Sequence, residues 1–220
     1  LGRYVVAEMQ AHAAVSVLDL KAPAADVPFH RVDIADRDAV FAAVAGHDAI
    51  IHLAALDEAV TAPEHRFFST NGLGLWNMLE AAETADVRRV VSCSSIAGVA
   101  LSRRNPPRYL PVDTDHPCAP TSAYGLSKQV GEAMARSFAN RGKFTICALR
   151  PAWVMQPDIV HDVAKKTAAL DGGDPPPAAS HPDWRATDEE ILPSRSFVSP
   201  EDAARCFRAA LEADTGPFDV

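Results

Sequence analysis

The chain has 220 residues, 48% of them hydrophobic and 23% charged, with a formal net charge of -8 at pH 7. This composition is ordinary for a folded α/β domain with a sizeable core and excludes a disordered chain, while the acidic balance argues against nucleic acid as a partner. No apolar run reaches membrane-spanning length and no signal peptide is visible, so no membrane partner and a cytoplasmic setting are expected.

Leu1 to Gln10 reads as a helix, with Val5, Val6 and Met9 at helical spacing, and Ala14 to Leu20 as a strand ending near Asp19. An α/β chain normally feeds its first helix from a strand and a tight glycine turn, so both are expected to be missing ahead of Leu1. On that reading Gly2 is the last glycine of a dinucleotide-binding fingerprint. Asp19 then accepts from both hydroxyls of an adenosine ribose and repels a 2′-phosphate, favouring NAD over NADP. The same two residues also fit a helix-start glycine and a turn aspartate.

Phe29 to Ile34 reads as a short strand, and Asp36 to Ala45 as a helix with Asp36 as N-cap. Asp48 to Ala55 is a continuous apolar run of the kind found in a parallel strand buried on both faces. Its small pair Ala54 and Ala55 would let a ligand pass close to the backbone. Gly72 to Ala82 reads as a helix with a broad apolar face, and Phe67, Phe68 and Trp76 as core or dimer-contact residues rather than ligand stackers. Arg89 to Ser95 is another buried strand, and either Ser94 or Ser95 at its end could hydrogen-bond a reacting oxygen. The pairs Arg88 with Arg89 and Arg103 with Arg104 are candidate anion contacts.

Leu101 to Pro120 has no periodicity and reads as a loop delivering the chain to Thr121–Lys128, Thr-Ser-Ala-Tyr-Gly-Leu-Ser-Lys. At the start of a helix, Tyr124 and Lys128 share a face, and an ammonium near a phenol is expected to lower the phenol's pKa. Val130, Met134 and Phe138 continue as an apolar face. Lys143 to Arg150 is a strand; regularity then fades from Gln156 to Ser194, and Asp171 to Pro182 reads as a loop. Ser196 to Val198 reads as a strand, Pro200 to Glu212 as a helix capped by Ser199, and a further strand begins near Phe218. Cys93, Cys118, Cys147 and Cys206 show neither C-x-x-C nor zinc-like spacing, so reduced thiols and no metal site are expected.

The alternation of strand and helix implies a Rossmann-like, doubly wound parallel sheet. Taken with Ser94-Ser95-Ile-Ala, Pro120 through Lys128 and Leu149-Arg-Pro, the chain resembles the extended short-chain dehydrogenase/reductases, specifically the NAD-dependent epimerase/dehydratase family. The resemblance implies an NAD-binding domain over residues 1–150 and a small substrate-binding lobe over 151–220, with 196–212 returning to the main domain. It places the catalytic serine on Ser95, the tyrosine on Tyr124 and the lysine on Lys128. Cofactor contacts fall on Gly2, Asp19, Asp33, Ile34, Leu53, Ala54, Ala55, Asn71, Tyr124, Lys128 and Ala152.

The implied activity is NAD-dependent oxidation or reduction of a secondary alcohol on a sugar or nucleotide sugar, foremost as a sugar-nucleotide epimerase. The alternatives are an NAD(P)-dependent sugar dehydrogenase, a small-molecule carbonyl reductase, and a non-catalytic NAD(P)-binding sensor. Dehydratases of the family carry an Asp-Glu pair where this chain has Ile96 and Ala97, which cannot move protons. Gly98-Val99-Ala100 stands where relatives often have Val-Tyr-Gly, and Gln156 where many have glycine. Relatives pair the two helices equivalent to Gly72–Ala82 and Gly125–Asn140 across a two-fold axis, so a homodimer is expected.

Overall fold

The computed structural model describes residues 1–101, 105–155 and 197–220. Helix α1 (Gly2–Gln10) is followed by β1 (Val17–Asp19), β2 (Phe29–Arg31), α2 (Arg37–Val44) and β3 (Ala49–His52). A short α3 (His65–Phe67) and a π-helical turn at Phe68–Gly72 run into α4 (Leu73–Thr84) and β4 (Arg89–Cys93). After a 3₁₀ turn at Ile96–Gly98 come α5 (Ala123–Ala139), β5 (Thr145–Leu149) and β6 (Trp153–Val154), and later β7 (Phe197–Val198), α6 (Pro200–Glu212) and β8 (Phe218–Asp219). The caps read from the sequence form: Asp36 accepts from Ala39 N–H, Ser122 from Gly125 N–H and Ser199 from Asp202 N–H.

Strands β3, β4, β5 and β8 make a parallel sheet in the order β3-β4-β5-β8. β1 pairs in parallel with β2, and β6 with β7, as separate ladders. The single sheet expected from the alternation is thus divided: among the described residues no strand joins β1 to β3. Within the main sheet the period of two sorts side chains to opposite faces. Val90 and Ile146 join Val40, Leu79 and Phe138 under α2, α4 and α5, whereas their neighbours Val91 and Cys147 join Val5, Phe207 and Ala210 under α1 and α6. Fully burying each such aliphatic or aromatic side chain contributes about 1.5–3 kcal/mol, so the two faces hold the three layers together. This is the Rossmann-like architecture, whose ligand-binding edge lies at the C-terminal ends of the strands.

Two details differ from the sequence reading. On α5 the buried stripe runs through Lys128, Gly131, Ala135 and Phe138, while Val130 is exposed; the helix packs its small residues inward, where Gly131 meets Leu75. Arg89 is committed within the fold, whereas Arg88 is exposed. Arg88 pairs with Asp48 at 3.2 Å, and Arg89 donates to the Ala210 carbonyl near the end of α6 at 2.7 and 3.0 Å. Helix α6 lies on the main sheet, while Arg103, Arg104, Gln156 and the loop read over Asp171 to Pro182 lie outside the described residues.

Candidate active site

Ser95, Tyr124 and Lys128 come together where β4 ends and α5 begins. Ser94 N–H donates to the Leu149 carbonyl at 2.7 Å, extending β4's pairing to β5 beyond the strand itself. Ser95 follows in extended conformation and caps the 3₁₀ turn, its Oγ accepting from Ala97 N–H at 3.1 Å. Gly125 then decides how near that turn comes to α5. A Cβ at Gly125 would stand 2.5 Å from the Ala97 carbonyl oxygen, so only glycine permits the approach. The Tyr124 hydroxyl accordingly comes within reach of Ser95, which draws its pKa down by hydrogen bonding, and its ring meets Phe67 edge-on at 6.3 Å.

Lys128, 9% exposed, donates from Nζ to the Cys93 carbonyl at 2.8 Å and lies 5.6 Å from the centre of the Tyr124 ring. The expected lowering of the Tyr124 pKa by this ammonium is not what the structure gives. Burial pushes the phenol well above its ordinary range, the hydrogen bond from Ser95 opposes this, and Asp57, Cys93 and Glu58 add to the upward push. Desolvation wins because a half-buried phenolate loses its water while Lys128 spends a donor on Cys93. Burial likewise holds Lys128 below the usual lysine range.

Beneath Lys128 lies a cavity of about 20 Å³, large enough for one water and lined by His52, Asn71, Ser92, Ser94, Lys128 and Glu132 among others. His52 is 6% exposed, and burial, followed by the Lys128 charge, lowers its pKa to about 3 from its ordinary 6.5. Above pH 6.5 the ring is neutral folded or unfolded; below it the unfolded chain takes a proton that the folded chain refuses until pH falls to about 3. Stability should therefore fall by about 1.4 kcal/mol per pH unit across that window from this group. Urea unfolding at stepped pH should show a shallower acid slope in His52→Asn, and an unchanged slope would refute the assignment.

The cofactor-side residues fare differently. Asp19 is exposed at the end of β1, its Oδ1 accepting from Lys21 N–H at 3.0 Å, and Gly2 opens α1. Asp33 is exposed and accepts from Ala35 N–H at 2.9 Å. The Ile34 side chain, in contrast, is in the core against Gly74, and its carbonyl accepts from Asn77 Nδ2 at 3.0 Å. Leu53, Ala54 and Ala55 follow β3, with Leu53 packed on one core and Ala54 lining the cavity. Ala152 lies between β5 and β6. Asn71 is buried and already engaged: its Oδ1 accepts from Leu56 N–H at 2.7 Å, and its Nδ2 donates to the Leu56 carbonyl at 3.1 Å and to Ser127 Oγ at 3.0 Å. It ties the segment after β3 to α5.

The sequence reading missed Glu132 and Arg150, a buried ion pair behind the site, although Glu132 stands one helical turn after Lys128. It also missed His116, buried in the loop before Tyr124, where Nε2 accepts from Arg108 N–H at 3.0 Å. Among the described residues no helix is long and apolar enough to cross a membrane, and no cluster of three or more His, Cys, Asp or Glu could hold a metal.

The model of the NAD dependent epimerase/dehydratase family matches residues 1–219. The chain is 33% identical over 141 residues to the L-arabinose 1-dehydrogenase (NAD(P)(+)) of Haloferax volcanii, covering 60% of this chain and 54% of that protein. It is 26% identical over 201 residues to the uronate dehydrogenase of Pseudomonas syringae pv. tomato, covering 85% of this chain and 71% of that protein. Its fold is similar to that of the Thermus thermophilus UDP-glucose 4-epimerase in complex with NAD, with a TM-score of 0.73 at 23% identity, over 100% of this chain and 73% of that one. The chain thus spans about half the length of the first of these relatives.

Proposed function

The chain belongs to the NAD dependent epimerase/dehydratase family, and from that premise we propose that it oxidises a secondary alcohol of a sugar with NAD, reversibly. The observation that carries the reading is the convergence of Ser95, Tyr124 and buried Lys128 at the ligand-binding edge of the sheet, with Lys128 Nζ 5.6 Å from the centre of the Tyr124 ring. NAD, when bound, supplies the hydride acceptor and donor. The donor set fits such a group: Asp19 offers an exposed carboxylate suited to a ribose diol, and Ala54 and Ala55 leave the strand end open. Lys128 spends one of three ammonium donors on Cys93. Asp19 supports NAD over NADP by repelling a 2′-phosphate.

Tyr124 moves the proton of the reacting hydroxyl, and Ser95 hydrogen-bonds the same oxygen as it becomes a carbonyl. Because its pKa is raised, Tyr124 is protonated at neutral pH, which suits it to donate in the reduction direction. Alcohol oxidation needs the phenolate and therefore speeds up toward alkaline pH. Ile96 and Ala97 provide no acid–base pair for dehydration.

Of the two outcomes, release of the oxidised sugar is favoured by the dehydrogenase relatives, arabinose and uronate among them. In-place return of hydride, giving an epimer, is the second reading and is supported by the family itself. A panel of free sugars, sugar acids and nucleotide sugars incubated with NAD separates them. Net absorbance of reduced cofactor is the dehydrogenase result, and a new epimer without it the second; neither product from any sugar would reject the function.

We read residues 151–220 mainly as the substrate side, with 196–212 returning to the main domain. A homodimer is supported by Leu73 and Trp76 of α4 and Leu126 and Val130 of α5, large apolar side chains left exposed on two helices that pack together. Four free cysteines fit a reducing, cytoplasmic setting.

A further inference from the structure

Adjacent Ser94 and Ser95 turn to different partners. Ser94 Oγ donates to Glu132 Oε1 at 2.5 Å. Arg150 clamps the same carboxylate, Nε to Oε1 at 2.8 Å and Nη2 to Oε2 at 2.7 Å. Both charged side chains are withdrawn from water, 11% exposed for Glu132 and 15% for Arg150. Arg150 Nη1 also donates to the Thr114 carbonyl at 3.0 Å, and Nη2 lies 3.9 Å from Cys118 Sγ. One ion pair therefore joins the ends of β4 and β5, the middle of α5, and the loop that leads into Tyr124.

These are the four segments whose relative placement sets the distance from Ser95 to Tyr124. Backbone bonds hold the chain on either side of Ser95, from Ser94 N–H to the Leu149 carbonyl at 2.7 Å and from Ile96 N–H to the Pro151 carbonyl at 3.2 Å, but neither fixes the direction of its side chain. On the other side, Glu132 sits one turn past Lys128 and two past Tyr124 on the same helix face. A planar guanidinium fork on a carboxylate resists rotation as well as separation, which a single lysine contact would not. We propose that Glu132 and Arg150 are positioning residues: through Ser94 their ion pair holds Ser95 within hydrogen-bond reach of Tyr124, and through Thr114 it holds the loop entering α5 on the same frame. The inference rests on the reading of Ser95 and Tyr124 as the reacting pair.

The groups facing Tyr124 are Ser95 and Cys93 from the end of β4, Asp57 and Glu58 from the segment after β3, Phe67 from α3 and Lys128 from α5. Ser95 and Cys93 are both chain neighbours of Ser94, and of the two it is Ser95 that acts on the phenol by hydrogen bonding. The chain has three tyrosines, so fluorotyrosine labelling and fluorine NMR can follow Tyr124, with Tyr124→Phe assigning its signal. Ser95→Ala gives the reference: the displacement of the Tyr124 fluorine resonance at neutral pH, where the phenol is protonated, on losing that hydrogen bond.

Glu132→Gln should displace the Tyr124 resonance in the same direction, and Arg150→Lys, which keeps the charge but not the fork, by less. Ser94→Ala removes only the link and should reproduce the direction, which keeps the test open if Glu132→Gln does not fold. A Tyr124 resonance that stays at the wild-type position in Ser94→Ala, while Ser95→Ala displaces it, overturns the proposal. The signal requires neither cofactor nor turnover. Failure of the wild-type protein to act on any sugar would therefore reject the function, while the resonance positions still decide the positioning.

Discussion

Tyr124→Phe is expected to lower turnover by about 10²–10⁴-fold, the usual worth of a placed general acid–base group. The substitution keeps the ring, so the edge contact with Phe67 and the position of Lys128 at 5.6 Å from the ring centre are retained. Only the hydroxyl and its bond to Ser95 disappear, and Ser95 still accepts from Ala97 N–H. Affinity for NAD, read by quenching of protein fluorescence, should stay within a few-fold of wild type, and the melting temperature should hardly move. A variant retaining more than about a tenth of the activity would mean that another group handles the proton.

Gly125→Ala should damage both stability and rate, although alanine is the better helix former by about 1 kcal/mol. The new Cβ would stand 2.5 Å from the Ala97 carbonyl oxygen, 3.2 Å from the Ala97 carbonyl carbon and 3.1 Å from Pro120 Cβ. Two of those neighbours are backbone, so relief requires moving either the 3₁₀ turn or the start of α5. Overpacking of this kind costs about 1–3 kcal/mol, outweighing the helix gain. The displacement falls between Ser95 and Tyr124, where about 1 Å of misplacement costs about 10²-fold in rate. Gly72→Ala is the control, since a Cβ there meets nothing within 4 Å. Denaturant unfolding and kcat measured on both variants test the claim; equal effects at Gly125 and Gly72 would defeat it.

The two predictions depend on different kinds of information. Tyr124 and Lys128 were legible because their relation is local, four residues apart behind an N-cap serine in a helix. The serine was legible only as a pair. Extended backbone sends neighbouring side chains to different sides, so Ser94 reaches Glu132 while Ser95 reaches Tyr124, and no spacing rule distinguishes them beforehand. Asn71 shows the same limit: assigned to the cofactor side, it proves engaged with Leu56 and with Ser127, 56 residues away.

By itself the sequence determined the alternation of strands and helices, the caps at Asp36, Ser122 and Ser199, and the tyrosine–lysine face of α5, all set by periodicity and by contacts within a few residues. The tertiary structure alone decided that the Tyr124 pKa rises rather than falls, that His52 stays neutral beneath Lys128, and that Glu132 and Arg150 close the frame behind the serines. Desolvation and ion pairing depend on what surrounds a group in three dimensions. Those surroundings are assembled here from β3, β4, α5 and β5, segments that the chain keeps far apart.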